Sequence, residues 1–268
     1  MDDLAWLALR WQARQGQSME RAPPRIFDRQ RAAAKWKRAR SRQSSIDAAN
    51  YLTKALADDI AERLDFMQFD PANAMVAGGG ADELSLRLSS GVGKLETAAL
   101  GDLDEEQPIA TATYDLYVHL LGLGTVNDLP GALIHARNSL AEGGLFVAAF
   151  PGAGSVPTLR QLALAADGDR PAARIHPQVD IRAGTALLER AGFSRQVVDS
   201  YPLKVRFGEL ETLISDLRDH GLTSSLASPA PPITREGWRR ASELFDSLRD
   251  EDGKVTETFE ILVLTGWR

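Results

Sequence analysis

The sequence predicts an α/β protein built on a mostly parallel sheet. Three observations carry that prediction: amphipathic helical periods alternate with short apolar runs, two continuous apolar runs flank a capped helix, and a last strand closes the chain after an amphipathic helix. The chain has 268 residues, of which 44% are hydrophobic and 25% charged, so it can bury one sizeable core or two modest ones. That usage excludes a disordered chain and a collagen, and the absence of cysteine excludes a disulfide scaffold.

Ile46, Leu52, Ala55, Leu56, Ile60 and Leu64 recur at helical spacing over 46–67. Pro71 and Asn73 end that pattern, and the run from Ala74 to Ala77 reads as a strand entering the turn Gly78-Gly79-Gly80. Asp82 to Leu88 restarts a helix, Leu95 to Leu100 is a short strand, and Tyr114 to Leu121 is apolar enough to be buried on both faces, as in a parallel sheet. Asn127 and Asp128 can cap a helix running to Leu140, which Gly143 and Gly144 stop before a second buried strand, Leu145 to Phe150. The three elements make a β-α-β unit with a right-handed crossover.

Further on, Thr185 to Arg190 is helical and ends at Gly192, and Gln196 to Val205 is a strand. Glu209 to Asp219 and Arg235 to Arg249 are amphipathic helices, and Thr258 to Thr265 closes the fold. Residues 223–233, rich in Ser and Pro, are a loop. The chain divides into an N-terminal extension with a basic arm over 1–45 and a main domain over 46–268.

The net charge is −6, which argues against a nucleic-acid partner bound through a general basic surface. Within this acidic chain, Arg21 to Arg42 holds nine basic residues against the single acid Asp28. Such a stretch grips an acidic partner or an anionic membrane surface, or else is the solvated face of a helix docked through Ile26, Phe27 and Trp36. Leu4, Leu7 and Trp11 share one helical face, so residues 3–15 are expected to be either a short appended helix or an over-called start upstream of Met19.

No apolar run reaches the eighteen or so residues of a membrane helix, and the first 22 residues lack a secretory layout. A bacterial cytoplasmic protein is expected, with the mitochondrial matrix as the alternative because of the Arg-rich stretch. The histidines His119, His135, His176 and His220 lie at no metal-ligand spacing, so no metal is expected. No nucleophile elbow or Walker pattern occurs.

A Gly-rich turn between a buried strand and a helix N-terminus lets backbone N–H groups approach a nucleotide-like ligand, or simply turns the chain tightly. The order of motifs around it resembles the class I S-adenosylmethionine-dependent methyltransferases. The stretch Pro108 to Leu116, then Val126-Asn127-Asp128-Leu129-Pro130 and Leu140 to Phe146, look like that family's fourth strand and the helix and strand after it. More narrowly the chain is similar to the complex I assembly factor 5 family. Its marks are Ile26-Phe27-Asp28-Arg29, Asn127-Asp128-Leu129-Pro130, Ala191-Gly192-Phe193, Asp216-Leu217-Arg218 with Gly221, and the ending from Glu251-Asp252-Gly253-Lys254-Val255 to Gly266-Trp267. A more distant likeness is to the malonyl-acyl-carrier-protein methyltransferase of biotin synthesis.

The resemblance implies a Rossmann-like class I methyltransferase fold with a mostly parallel sheet and an antiparallel C-terminal strand. It also implies S-adenosylmethionine as cofactor and a protein partner, a respiratory complex I subunit. By the same resemblance Gly78 and Gly80 bring backbone to the cofactor, Asp102 contacts its adenine side, and His119 and Leu120 border the transfer site. Arg160, Arg174, His176 and Asp180 lie where the family's substrate-side insertion faces a partner, or are surface decoration.

Two departures set this chain apart from that pattern. Where the family's first motif has an acid and three spaced glycines, this chain has Val76, Gly78, Gly80 and Asp82. A carboxylate at Asp82 suits a helix N-terminus but repels a cofactor carboxylate in a closed site. Only 33 residues separate Gly80 from Tyr114, which leaves the fold short of an early strand or helix. Either the ribose-holding acid has gone with its strand, or Glu96 or Asp102 stands in for it. Two functional readings stay open: an S-adenosylmethionine-dependent enzyme acting on a protein, since methyl transfer asks mainly for positioning, and a non-catalytic assembly factor that kept the fold and the partner surface.

Overall fold

The computed structural model describes residues 25–89 and 91–268; the helix expected over 3–15 and the start of the basic stretch lie outside them. Helix α1 (Arg29–Gln43) begins at Asp28, whose carboxylate accepts the Arg31 N–H at 3.0 Å. Helix α2 (Tyr51–Met67) presents Leu52, Leu56, Ile60 and Leu64 along one buried stripe. The helix starts later than the periodicity predicted, and Ile46 is 98% exposed because residues 44–50 turn the chain from α1 into α2.

Strand β1 (Asn73–Gly78) leads through the glycine turn into α3 (Ala81–Leu88), and β2 (Lys94–Ala99) follows. Residues 100–113 then pass to β3 (Tyr114–Leu120) in turns alone, without helix or strand. A 3-10 turn over Gly122–Thr125 and helix α4 (Leu129–Ser139) lead to β4 (Leu140–Pro151). Gly143 and Gly144 do not separate α4 from β4 as expected. The strand begins directly at Leu140, and the glycines sit in its irregular start, where the β3–β4 register slips between Tyr114 and Leu116.

Helix α5 (Pro157–Asp167), which the periodicity did not single out, precedes α6 (Ile181–Ala191) and β5 (Ser194–Phe207). Helices α7 (Leu210–Asp219) and α8 (Arg235–Ser247) and strand β6 (Val255–Trp267) complete the fold.

The sheet order is β2-β1-β3-β4-β6-β5, parallel from β2 to β4, with β6 antiparallel to both of its neighbours. Strand alternation sends Leu116, Val118 and Leu120 of β3 to the face covered by α2, α3, α5, α7 and α8, and Tyr117 to the face covered by α4 and α6. Each fully buried leucine on these faces contributes roughly 1.5–3 kcal/mol of transfer free energy. With β2 at the edge, the strands' C-terminal ends open on the turns after β1, β2 and β3, where ligands bind in sheets of this kind.

Candidate functional site

Each glycine of the turn answers to a close approach within the chain itself. Gly78 has φ +99°, and a Cβ there would run into the carbonyl oxygen of Leu120, which also accepts the Gly79 N–H at 2.9 Å. Gly80, at φ +91°, starts α3 and packs against α2: a Cβ on it would lie 2.9 Å from Thr53 Cβ. Val76, in the family's acidic position, is fully buried in the core beneath α2, and Asp82 is exposed in the first turn of α3.

The two carboxylates expected to stand in for the ribose-holding acid are both engaged. Strand β2 ends at Ala99, level with Gly78, and continues into buried Leu100 and into Gly101, on which a Cβ would meet the Trp36 ring of α1 at 2.8 Å. Asp102 forms an ion pair with Arg40 of α1. Glu96 pairs with Met75, three positions before the turn. Lys94 at 2.6 Å and the Tyr114 hydroxyl, donating at 2.8 Å, hold its carboxyl below the ordinary range.

His119 and Leu120 are neighbours in sequence and therefore face opposite sides of the sheet. Leu120 is fully buried among the helices on the α2 side and meets the turn through its backbone. The His119 ring is 1% exposed, with Nε2 3.0 Å from Glu105 Oε1 and no partner for Nδ1 among the described residues. Over it sits Gly122, where a Cβ would come 2.6 Å from His119 Cε1 and 3.2 Å from Leu100 Cδ1. The structure thus brings Gly78, Leu120 and His119 to one edge, turns Gly80 toward α2, and directs Asp102 to α1.

Glu105 is the residue at this edge that sequence reasoning missed. It is one of four acids between 102 and 106, and nothing in their spacing separates them. Tertiary structure gives each a different partner: Asp102 meets Arg40, Asp104 meets Arg29, Glu105 meets His119, and Glu106 accepts the N–H of Asn127 at 2.8 Å and of Asp128 at 3.3 Å.

The described part of the basic stretch lies against this edge of the sheet. Asn127 Oδ1 accepts the N–H groups of Ile26 and Phe27, both at 2.8 Å, which joins two family marks about a hundred residues apart. Lys35 donates to the Ser224 carbonyl, and Arg42 pairs with Asp219, which is 6% exposed and also accepts the Ala49 N–H.

On the substrate side each expected residue has an intramolecular partner. Arg160 donates to Gln178, Arg174 donates to Asp167 at 2.9 Å, and Asp180 caps α6 by accepting the Ala183 N–H. His176 accepts the Ser225 N–H at 2.7 Å, and burial holds its pKa down at about 4, so the ring is neutral near pH 7.

No family model matches the chain. Among curated proteins it is 25% identical to a malonyl-[acyl-carrier protein] O-methyltransferase of Laribacter hongkongensis, over 90% of both chains. It is 29% identical to the mitochondrial arginine-hydroxylase NDUFAF5 of Mus musculus, over 91% of this chain and 77% of that one. Among solved structures, a methyltransferase-fold protein from Bacillus halodurans C-125 superposes with a TM-score of 0.50 at 13% identity, over 78% of this chain and 98% of that one. The class I methyltransferase fold and the resemblance to NDUFAF5 read from the motifs are both borne out. Among the described residues no helix is long and apolar enough to cross a membrane.

Proposed function

We propose that this chain, a class I methyltransferase-fold relative of NDUFAF5 and of the malonyl-acyl-carrier-protein methyltransferases, works as a binding factor in assembly, with a degenerate cofactor site, and not as a methyl-transfer catalyst. The observation that carries this reading is the packing of Leu100 and Glu105 over His119 and Gly122 at the C-terminal edge of β3. S-adenosylmethionine needs open backbone at the glycine turn and a carboxylate free to hold ribose hydroxyls. Here Leu120, Leu121 and Thr53 approach the glycines, and the acids of 102–106 are spent on Arg40, Arg29, His119 and the start of α4. In this reading the cofactor does not fit because its ribose finds no free acid among residues 102–106.

The partner in this reading is a protein, a respiratory complex I subunit by resemblance, met in part through the exposed cationic residues Lys37 and Arg38 of α1. Isothermal titration of the full chain with S-adenosylmethionine and with S-adenosylhomocysteine tests it. The expected result is no binding heat up to millimolar ligand from a cooperatively folded protein, and micromolar binding of either ligand overturns it.

A further inference from the structure

Apart from the glycine turn, the fold forms a half-open apolar pocket of about 240 Å³ on the α2 side of the sheet, between α5, α7, α8 and the connections at 174–178 and 222–233. None of Gly78, Gly79 and Gly80 lines it. Its walls are hydrocarbon: Leu162, Ile214, Leu222, Trp238 and Phe259 face inward. An apolar cavity of about 150 Å³ already stays dry and admits benzene, so this one is larger than a packing defect needs to be.

Four of the polar side chains along its wall are turned to internal partners. Arg174 is held by Asp167, His176 Nε2 by the Ser225 N–H, Gln178 Nε2 donates to the Ser155 carbonyl at 3.3 Å, and Ser155 Oγ donates to the Glu260 carbonyl at 3.0 Å. No unpaired charge among them is offered to an occupant. The wall also carries two non-glycine residues in the left-handed region, Leu121 at φ +66° and Val156 at φ +53°. For a β-branched valine that backbone is strained, and such strain persists where the surrounding structure holds a site's shape.

We infer that this cavity, which adjoins the glycine turn through Leu121 but is lined by none of its glycines, binds an uncharged hydrocarbon group of acyl or prenyl type whether or not the cofactor crevice is closed. Its lining disfavours a charged end inside the pocket, because its charged side chain among the described residues, Arg174, is already paired with Asp167.

The test is fluorescence titration of the full chain with the neutral apolar dye N-phenyl-1-naphthylamine, followed by displacement with octan-1-ol, geraniol and octanoate. Saturable binding is expected, with displacement by the two alcohols at concentrations at least tenfold lower than octanoate. The better of the two alcohols tells a linear from a branched chain. Ala163→Phe and Leu159→Phe, which place rings in the cavity from two positions on α5, should each weaken dye binding at least tenfold while the melting transition stays cooperative. On the unmodified chain, octan-1-ol should slow amide exchange in α5 and residues 222–233. Absence of saturable binding, binding unchanged in a folded cavity-filling variant, protection confined to other elements, or displacement by octanoate as strong as by octan-1-ol would each overturn the inference.

Discussion

Glu105 Oε1 stands 3.0 Å from Nε2 of His119 and closes the C-terminal edge of the central strand β3. The histidine is 1% exposed and its ring has no other hydrogen-bond partner among the described residues, so the pair is a buried unit contributed by a loop and a strand. Glu105→Ala strands the ring and should cost about 1–3 kcal/mol. The double variant Glu105→Leu with His119→Leu should cost less than the two single changes together, because no polar group is then left without a partner. Chemical denaturation of the four proteins measures the coupling; strict additivity would show that the pair is not a unit.

Asn127 ties the N-terminal segment to the sheet. Its side-chain oxygen accepts two backbone N–H groups, from Ile26 and Phe27, and its amide donates to the Phe27 carbonyl at 3.2 Å. Asn127→Ala should lower stability by about 1–3 kcal/mol, or roughly 2–4 °C in Tm per kcal/mol. Amide exchange should quicken in α1 before it does in β1 or β3. Uniform acceleration across the sheet would mean that the tether does not act locally.

Gly78 is required by the fold before any ligand is considered. Gly78→Ala puts a methyl group into the Leu120 carbonyl at φ +99° and should destabilise by at least about 3 kcal/mol. A melting temperature within a degree or two of the parent would show that β1 and β3 can separate at this point, and that the crevice is more open than the packing indicates.

His220 makes the fold acid-sensitive. Burial holds its pKa down at about 4, outweighing the nearby Asp219 carboxylate, and both ring nitrogens lack partners among the described residues while the ring packs edge-on to Tyr51 at 4.7 Å. The unfolded chain takes up that proton near the ordinary value of 6.5, before the native state does. Stability from this site is therefore complete above about pH 6.5 and is lost as pH falls toward 4. His220→Phe keeps an aromatic ring against Tyr51 and should reduce the stability lost between pH 7 and pH 4.5 by about 2 kcal/mol. His176, lowered in the same way, retains part of the dependence. Urea unfolding at the two pH values reads the difference, and equal losses in parent and variant would refute the assignment.

Much of the α/β order was legible from local pattern. Leu52, Leu56, Ile60 and Leu64 mark α2, Asp128 caps α4 by accepting the Gly131 N–H at 3.0 Å, and Gly192 ends α6 at φ +83°. Local pattern does not mark helix α5, and it puts the start of β4 too late, because Gly143 and Gly144 read as a stop although the chain enters the strand at Leu140. The site was far less legible. Glu105 could not be told from Asp102, Asp104 and Glu106, and the placement of His119 and Leu120 on opposite faces follows from strand alternation only once β3 is known to be buried on both sides.

By itself the sequence determined the succession of helices and strands, the parallel core and the shortened span between Gly80 and Tyr114, because periodicity and capping are set by residues within a few positions of one another. Tertiary structure alone decided that Trp36 packs on Gly101, that Asn127 receives Ile26 and Phe27, that the acids of 102–106 each find a different partner, and that α5, α7 and α8 leave an apolar cavity between them. Those outcomes depend on contacts between segments far apart in the chain, whose pairing is fixed by the packing of the whole core and not by any local pattern.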